Sequence, residues 1–266
     1  MPFAPILDNK DPGARSVFEP AAMLREARRQ KGLATVAVPP VCILDPDGDV
    51  VRRLKKTGVA KRVDSWPCYH TDLYSFPLVD QRAGIVACAV GAPFAVLVAE
   101  ELFACGCRML ISLTSAGRIV ATMNPPYFVV IDRAPRDEGT SYHYAAPSEY
   151  SEADPRLIAM AIAALAKSNR STIVGSTWTT DAPFRETSQA IESARSKGVL
   201  AVEMEAAALY AFARAQRKNV LCLAHVTNSM GRDGPDFEKG EAAGAADALA
   251  ILEAIAAPFA THDAIG

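Results

Sequence analysis

The chain has 266 residues, 50% hydrophobic and 22% charged, the balance of a globular protein with one large domain or two small ones. Its 28 Lys and Arg against 30 Asp and Glu leave a formal net charge of −2, which argues against a basic nucleic-acid-binding domain. There is enough apolar composition to argue against disorder as the main state. Residues 1–10 lack the basic start and apolar run of a signal peptide. The best candidate for a membrane span, residues 85–98, carries Gly91 and Pro93 and then meets Glu100 and Glu101, so it is not a bilayer-crossing run. The expectation is a soluble, cytoplasmic protein with neither nucleic acid nor membrane as partner.

In chain order, residues 1–34 read as an N-terminal extension and 35–266 as one domain. Within the extension, Phe18-Glu19-Pro20 opens a helix with Met23, Leu24 and Ala27 on one face, and Gly32 ends it. Residues 36–44 and 84–90 read as buried strands. Residues 93–106 read as a helix with Val96, Leu97, Leu102 and Phe103 along one side. A strand over 109–113 follows, then another over 127–132 after the breaker Asn124-Pro125-Pro126. Asp154 is the expected N-cap of a helix to about Lys167, with Pro155 at its first position. Then come a strand over 172–177, a helix over 189–197, a short strand over 199–202, a helix over 203–217, a strand over 220–226 and a last helix over 241–256. Short β-rich runs alternating with amphipathic helical ones define an α/β domain.

Open α/β sheets bind ligands at the carboxyl ends of their strands, and four polar segments fall at such ends. Thr114-Ser115-Ala116-Gly117 suits close approach of a backbone to an anion or sugar, and equally suits a tight turn with Gly at positive φ. Residues 179–187 bring together Phe184, Arg185 and Asp181. A ring stacks on a planar base and a guanidinium donates twice to a carbonyl edge; otherwise Asp181 is an N-cap and Pro183 opens a helix. Glu203-Met204-Glu205 places two carboxylates in an apolar context. One carboxylate can accept from two vicinal hydroxyls, which suits a ribose, or both Glu residues merely favour a helix N-terminus. His225 to Gly231 ends a strand, and its Asn228 either grips a base edge or closes a turn.

Other chemistries lose ground. The histidines His70, His143, His225 and His262 form no metal-ligand pair, and Cys105-x-Cys107 lacks the second pair of a zinc site. The six cysteines read as structural. No P-loop, Gly-x-Ser-x-Gly or Gly-x-Gly-x-x-Gly occurs.

Residues 201–210, Ala-Val-Glu-Met-Glu-Ala-Ala-Ala-Leu-Tyr, resemble a motif specific to the nucleoside phosphorylase family, which includes uridine phosphorylase, hexameric purine nucleoside phosphorylase and the nucleosidases. Residues 180–187 resemble the base-side loop of its uridine phosphorylase-like branch. Gly91-Ala92-Pro93, Glu100-Glu101-Leu102, Gly106, Ser115-Ala116-Gly117 and residues 137–144 follow in the family's order. The resemblance covers roughly residues 35 to 257. It implies a three-layer α/β/α fold with a mixed, partly barrel-like central sheet, and a homo-oligomer (a dimer or a trimer of dimers). It implies no cofactor, with phosphate as a co-substrate, and cleavage of a nucleoside N-glycosidic bond. By position, Glu205 and Met204 hold the ribose, with Glu203 beside them. Thr114 and Ser115 line the sugar and anion side, Phe184 and Arg185 face the base, and Asn228 stands where the purine enzymes carry a catalytic Asp.

The chain departs from the family pattern where phosphate binds. The family's Gly-Asp-Pro-x-Arg is here Leu44-Asp45-Pro46-Asp47-Gly48-Asp49, a second Arg is replaced by Ser112, and a third, lent by a neighbouring subunit, falls near His70. Neither Ser nor Asp supplies the bidentate fork of Arg. Arg52, Arg53 and Arg118 are candidate substitutes. The leading expectation is a nucleoside phosphorylase acting on a uridine-like or 6-oxopurine nucleoside, because neutral Asn228 can hydrogen-bond a base but cannot act as a general acid. The alternatives are a nucleosidase of the same fold, with Asp45, Asp47 or Glu203 activating water, and a non-catalytic nucleoside-binding relative.

Overall fold

The computed structural model describes residues 4–228, Lys239 and 244–259. His262, the Ser229-Met230-Gly231 turn and the first residues of the expected last helix lie outside them. The strands are β1 Val41–Asp45, β2 Lys61–Arg62, β3 Leu73–Leu78, β4 Gln81–Ala87, β5 Met109–Arg118, β6 Tyr127–Ile131, β7 Arg133–Asp137, β8 Tyr150–Glu152, β9 Thr172–Gly175, β10 Thr177–Thr180, β11 Ala201–Glu203 and β12 Asn219–Asn228. The helices are α1 Pro20–Lys31, α2 Asp49–Lys56, α3 Ala92–Ala104, α4 Pro155–Leu165, α5 Ser188–Ser196, α6 Ala206–Gln216 and α7 Ala245–Ala256.

One mixed sheet joins the strands in the order β2-β3-β4-β1-β5-β11-β10-β7-β8, and a branch runs from β5 through β12 and β6 to β9. The branch exists because β5 is long. Its first half pairs in parallel with β1 (Val41 opposite Met109), and β12 pairs with it in parallel from Met109 (opposite Asn219) to Gly117 (opposite Asn228). Beyond β1, its far end also pairs with β11, antiparallel, at Gly117 and Arg118.

Period-2 alternation sends successive side chains of the buried strands to opposite faces. Cys42, Leu44, Leu110, Cys222 and Ala224 enter one core, shared with α1, α3 and α6. Val41, Ile43, Ile111, Leu221 and Leu223 enter the other, shared with α2, α4 and α7. Two helical layers thus sandwich the sheet. A third, small cluster packs Ile191 of α5 on Trp178 and Val202.

Several helix ends follow the sequence signals. Asp154 accepts from the Arg156 N–H (2.8 Å) with Pro155 in the first turn of α4, and Gly32 closes α1 at φ 63°. The extension is tied to the domain, since Leu24 is buried in the core that α3 and α6 share and Ala27 is buried as well. Leu24→Ala is expected to cost about 2–5 kcal/mol of unfolding free energy, read from chemical denaturation; a near-neutral result would mean that α1 only drapes over the surface.

Other expectations need correction. Residues 36–40 are not strand, because Pro39-Pro40 cannot donate to a ladder, and β1 starts at Val41. Leu97 points to solvent while Val96, Leu102 and Phe103 are buried. The expected strand over 172–177 is two strands separated at Ser176. Thr114 to Gly117 is not a turn. β5 runs through it, and Gly117 is absent from the residues with positive φ. Asp181 caps no helix; its carboxylate accepts from the Gly139 N–H (2.9 Å), and the cap of α5 is the Thr187 hydroxyl. Among the described residues no helix is long and apolar enough to cross a membrane.

Candidate active site

The carboxyl ends of the parallel strands β1, β5 and β12 lie side by side, and β11 meets the far end of β5 there. A cleft of about 570 Å³ opens at this edge. Thr114, Ser115, Phe184, Glu203, Met204, Glu205 and Asn228 all line it, so four segments far apart in sequence converge.

Glu205 is the pivot. It sits between β11 and α6 and is 1% exposed. The Gly91 N–H, at the start of α3, donates to its Oε1 (2.7 Å). Gly91 has φ 87° and ψ 151°, a region essentially open to glycine alone, and this backbone turn delivers the N–H. Oε2 of Glu205 is buried and has no hydrogen-bond partner. Burial, and after it the neighbouring Glu203 carboxylate, push the Glu205 carboxyl up to about 8. A buried carboxyl with one oxygen anchored and the other unspent, on the wall of a cleft, is poised for a ligand's hydroxyls.

Glu203 is different, although it also lines the cleft. Its Oε1 accepts from the hydroxyls of Thr179 and Thr177, and its Oε2 accepts from the N–H groups of Glu205 (2.7 Å) and Ala206 (2.8 Å). The Thr179 hydroxyl also accepts from the Ala207 N–H (2.9 Å). Glu203 thereby satisfies N–H groups at the start of α6, and its acceptors are spent inside the protein. Glu203 therefore lines the cleft while its hydrogen bonds hold the backbone around Glu205.

The loop between β1 and α2 is equally specific. Asp45 is buried and accepts from the N–H groups of Gly48 (3.1 Å) and Val51 (2.9 Å), fixing the loop before α2; burial raises its carboxyl to about 7. The loop presents Asp47 to β5. Asp47 accepts from the Ser115 N–H at Oδ2 (2.6 Å) and from the Ser115 hydroxyl at Oδ1 (2.8 Å). Lys239 lies 3.4 Å from Asp47 and 2.6 Å from Asp49. Arg52 pairs with Asp49 and donates to the Asp47 carbonyl (2.8 Å), and Arg118 donates to the Met123 carbonyl (3.2 Å). Arg52, Arg53 and Arg118 are all outside the cleft lining, so none replaces the missing phosphate arginines there.

In the loop after β10, Phe184 is 99% exposed in a 3₁₀ turn over Pro183–Arg185. Arg185 is exposed and does not line the cleft, whereas Glu186 does. Glu186 is half-buried, and burial raises its carboxyl to about 6. His70 is exposed, set edge-on to Phe94, and outside this chain's cleft. Sequence reasoning missed Gly91 as the anchor of Glu205, Glu186 as a lining group and Lys239 as the partner of the acidic loop. Of these only Gly91 carried a signal, in Gly-Ala-Pro at a strand-to-helix junction.

The fold and cleft define a three-layer α/β protein with its polar groups gathered at the carboxyl edge of a mixed sheet. The pattern of the phosphorylase superfamily matches residues 40–257, and the chain belongs to that family. It is 27% identical over 140 residues to a guanosine phosphorylase of Halorubrum lacusprofundi, a match spanning 52% of this chain and 58% of that protein. Its fold is that of a uridine phosphorylase from Vibrio fischeri ES114, solved with 6-hydroxy-1-naphthoic acid. There the TM-score is 0.70 at 20% identity, covering 85% of this chain and 97% of the other. A further structure of that enzyme gives 0.69 at 20% identity, covering 83% and 93%.

Proposed function

We propose that the chain breaks the N-glycosidic bond of a uridine-like or 6-oxopurine nucleoside as a nucleoside phosphorylase, releasing the base and passing the ribose to phosphate. The observation that carries this reading is Glu205, anchored by Gly91 and holding an unspent carboxylate oxygen at the cleft. Bond cleavage builds positive charge on the ribose and negative charge on the base. An ionised Glu205 accepting from the ribose hydroxyls stabilises the first, with Met204 as an apolar surface for the sugar. Neutral Asn228, at the end of β12, can donate to an oxo base but supplies no acid. Phe184 is free to stack on a base, and the names of both relatives, guanosine and uridine phosphorylase, belong to oxo-base nucleosides. A cytoplasmic location and a homo-oligomer, with His70 offered to a neighbouring subunit, belong to the same reading and rest on the motifs.

The test is a panel of uridine, guanosine, inosine and adenosine with the purified protein and phosphate, scoring free base and ribose 1-phosphate. Turnover of oxo-base nucleosides above adenosine is expected. Ligand-induced thermal stabilisation without any base release would overturn the enzyme reading in favour of a nucleoside-binding protein.

A further inference from the structure

Resting on the phosphorylase reading above, we propose that the co-substrate oxyanion binds in a seat made by the Ser115 N–H, the Ser115 hydroxyl and Lys239, and that the chain's own Asp47 carboxylate fills this seat and has to swing out before phosphate enters. Asp47 accepts from the Ser115 N–H at Oδ2 (2.6 Å) and from the Ser115 hydroxyl at Oδ1 (2.8 Å), and Lys239 Nζ lies 3.4 Å from the same Oδ1. Three donors thus converge on one two-oxygen anion. Phosphate oxygens ask for what carboxylate oxygens ask for, short charge-assisted bonds from N–H and O–H groups. Two like charges do not share such a seat, so the internal anion and the external one exclude each other.

The seat is placed for a reacting co-substrate. Asp47, Thr114 and Ser115 line the main cleft together with Glu205. An anion on Ser115 is therefore in the same cleft as the carboxylate assigned to the sugar. Lys239 supplies charge that the absent arginines do not. Among the described residues, no Lys or Arg lines the main cleft. Lys239 is the one that lines the small cavity, about 20 Å³, which shares Asp47, Thr114 and Ser115 with it. His225, opposite Ser115 in the pairing of β12 with β5, forms part of the same wall. It is 6% exposed and its Nε2 has no hydrogen-bond partner. A buried ring nitrogen without a partner beside the seat calls for a bound polar group.

Asp47 is able to leave. Its side chain is 30% exposed, whereas Asp45 is buried and locks the loop through the Gly48 and Val51 N–H groups. Rotation of the Asp47 side chain clears Ser115 while that lock holds. Lys239 keeps Asp49 as a second partner at 2.6 Å, so it has an anchor when Asp47 departs. A tethered carboxylate competes at high effective concentration. Phosphate affinity is thereby set by this internal contact as well as by the number of cations.

The experiment uses inorganic phosphate and the full chain. It reads equilibrium binding by titration calorimetry, and separately the phosphate dependence of uridine and inosine cleavage. The natural protein is compared with Asp47→Ala, with Asp49→Asn, and with Asp47→Ala combined with Lys239→Met, each checked for folding by thermal melting. Asp47→Ala is expected to bind phosphate about 10-fold more tightly, the scale of one charge-assisted hydrogen bond released, and to lower the KM for phosphate by a similar factor. Asp49→Asn removes an equal charge but leaves Ser115 covered, so its gain is expected to be smaller. Adding Lys239→Met is expected to reverse the gain of Asp47→Ala. Unchanged or weaker phosphate binding by Asp47→Ala overturns the inference and leaves the phosphorylase reading standing. An equal gain in Asp49→Asn also overturns it, because the general field and not the contact would then set the affinity. A gain that survives Lys239→Met overturns the seat as drawn. Tighter phosphate binding by Asp47→Ala with no base release under any condition supports the seat and removes the phosphorylase reading.

Discussion

Glu205→Gln is expected to lower nucleoside turnover by about 100-fold and, at pH 8 and above, to raise the denaturation midpoint. The activity loss follows from charge. An ionised Glu205 holds the ribose hydroxyls more strongly as positive charge grows on the sugar, and an amide does not; removing one such transition-state contact typically costs this much. The stability gain follows from linkage. Burial and the adjacent Glu203 hold the Glu205 carboxyl at about 8 in the folded protein, whereas an unfolded Glu titrates near its usual 4.5. Between these values the folded state binds the proton and the unfolded state does not. Stability from this group is therefore complete below about 4.5, falls as pH rises, and is gone above about 8. Gln keeps a carbonyl for the Gly91 N–H and never charges, so it escapes that loss. Turnover of the natural protein should rise with pH through about 8 as the carboxylate forms. Unaltered turnover in Glu205→Gln would remove Glu205 from the ribose. Equal pH profiles of stability in the two proteins would mean that the carboxyl is not the buried, proton-holding group its surroundings make it.

Much of this arrangement is legible in the sequence because it rests on local rules. The near-continuous apolar runs within residues 36–44 and 109–113 mark strands buried on both faces, and Pro155 after Asp154 marks a helix start. The pair Glu203 and Glu205 is conspicuous because two carboxylates in an apolar run must be paired, capped or used. What the sequence does not separate is which carboxylate does which. That depends on Thr177 and Thr179, more than twenty residues earlier, and β10 brings them opposite Ala201 and Glu203 through parallel pairing. The Thr-Ser-Ala-Gly run after residue 113 has turn composition, yet long-range pairing with β12 keeps it extended as far as Gly117. Local propensity loses there to a ladder formed with a strand a hundred residues away. Strands β2, β3, β7 and β8 and the helix α2 were likewise hidden, α2 because Asp49 to Lys56 looks like a charged loop until Val50, Val51 and Leu54 are seen to face α7 and β4.

The anion side shows the same limit more sharply. The loss of family arginines is plain from Leu44-Asp45-Pro46-Asp47-Gly48-Asp49 and from Ser112, and it predicts a weakened phosphate site. Where the lost charge is answered is a matter of three dimensions. Asp47 turns onto Ser115 because Asp45, locked to the Gly48 and Val51 N–H groups, fixes the loop path. Lys239 enters from a segment far along the chain. No spacing rule links positions 47, 115 and 239.

Glu203→Ala is expected to be the most destabilising single change at the site, by about 3 kcal/mol or more in chemical denaturation. The side chain is 3% exposed and accepts four hydrogen bonds, two from the Glu205 and Ala206 N–H groups and two from Thr177 and Thr179. Truncation strands those donors in a space that water does not reach. Each buried donor left without a partner costs about 1–3 kcal/mol, and the start of α6 loses its cap. Glu203→Gln separates charge from geometry. Its amide oxygen can still accept from one pair of donors, but its NH₂ meets the donors of the other pair. Burial raises the Glu203 carboxyl too, but its four donor partners oppose that rise and favour its charged form over that of Glu205, which has one. With Glu203→Gln that repulsion disappears, and the rise of turnover with pH should move to lower values than in the natural protein. A profile that stays in place, measured on a folded Glu203→Gln protein, would show that burial alone sets the Glu205 carboxyl and that Glu203 serves the helix rather than the chemistry.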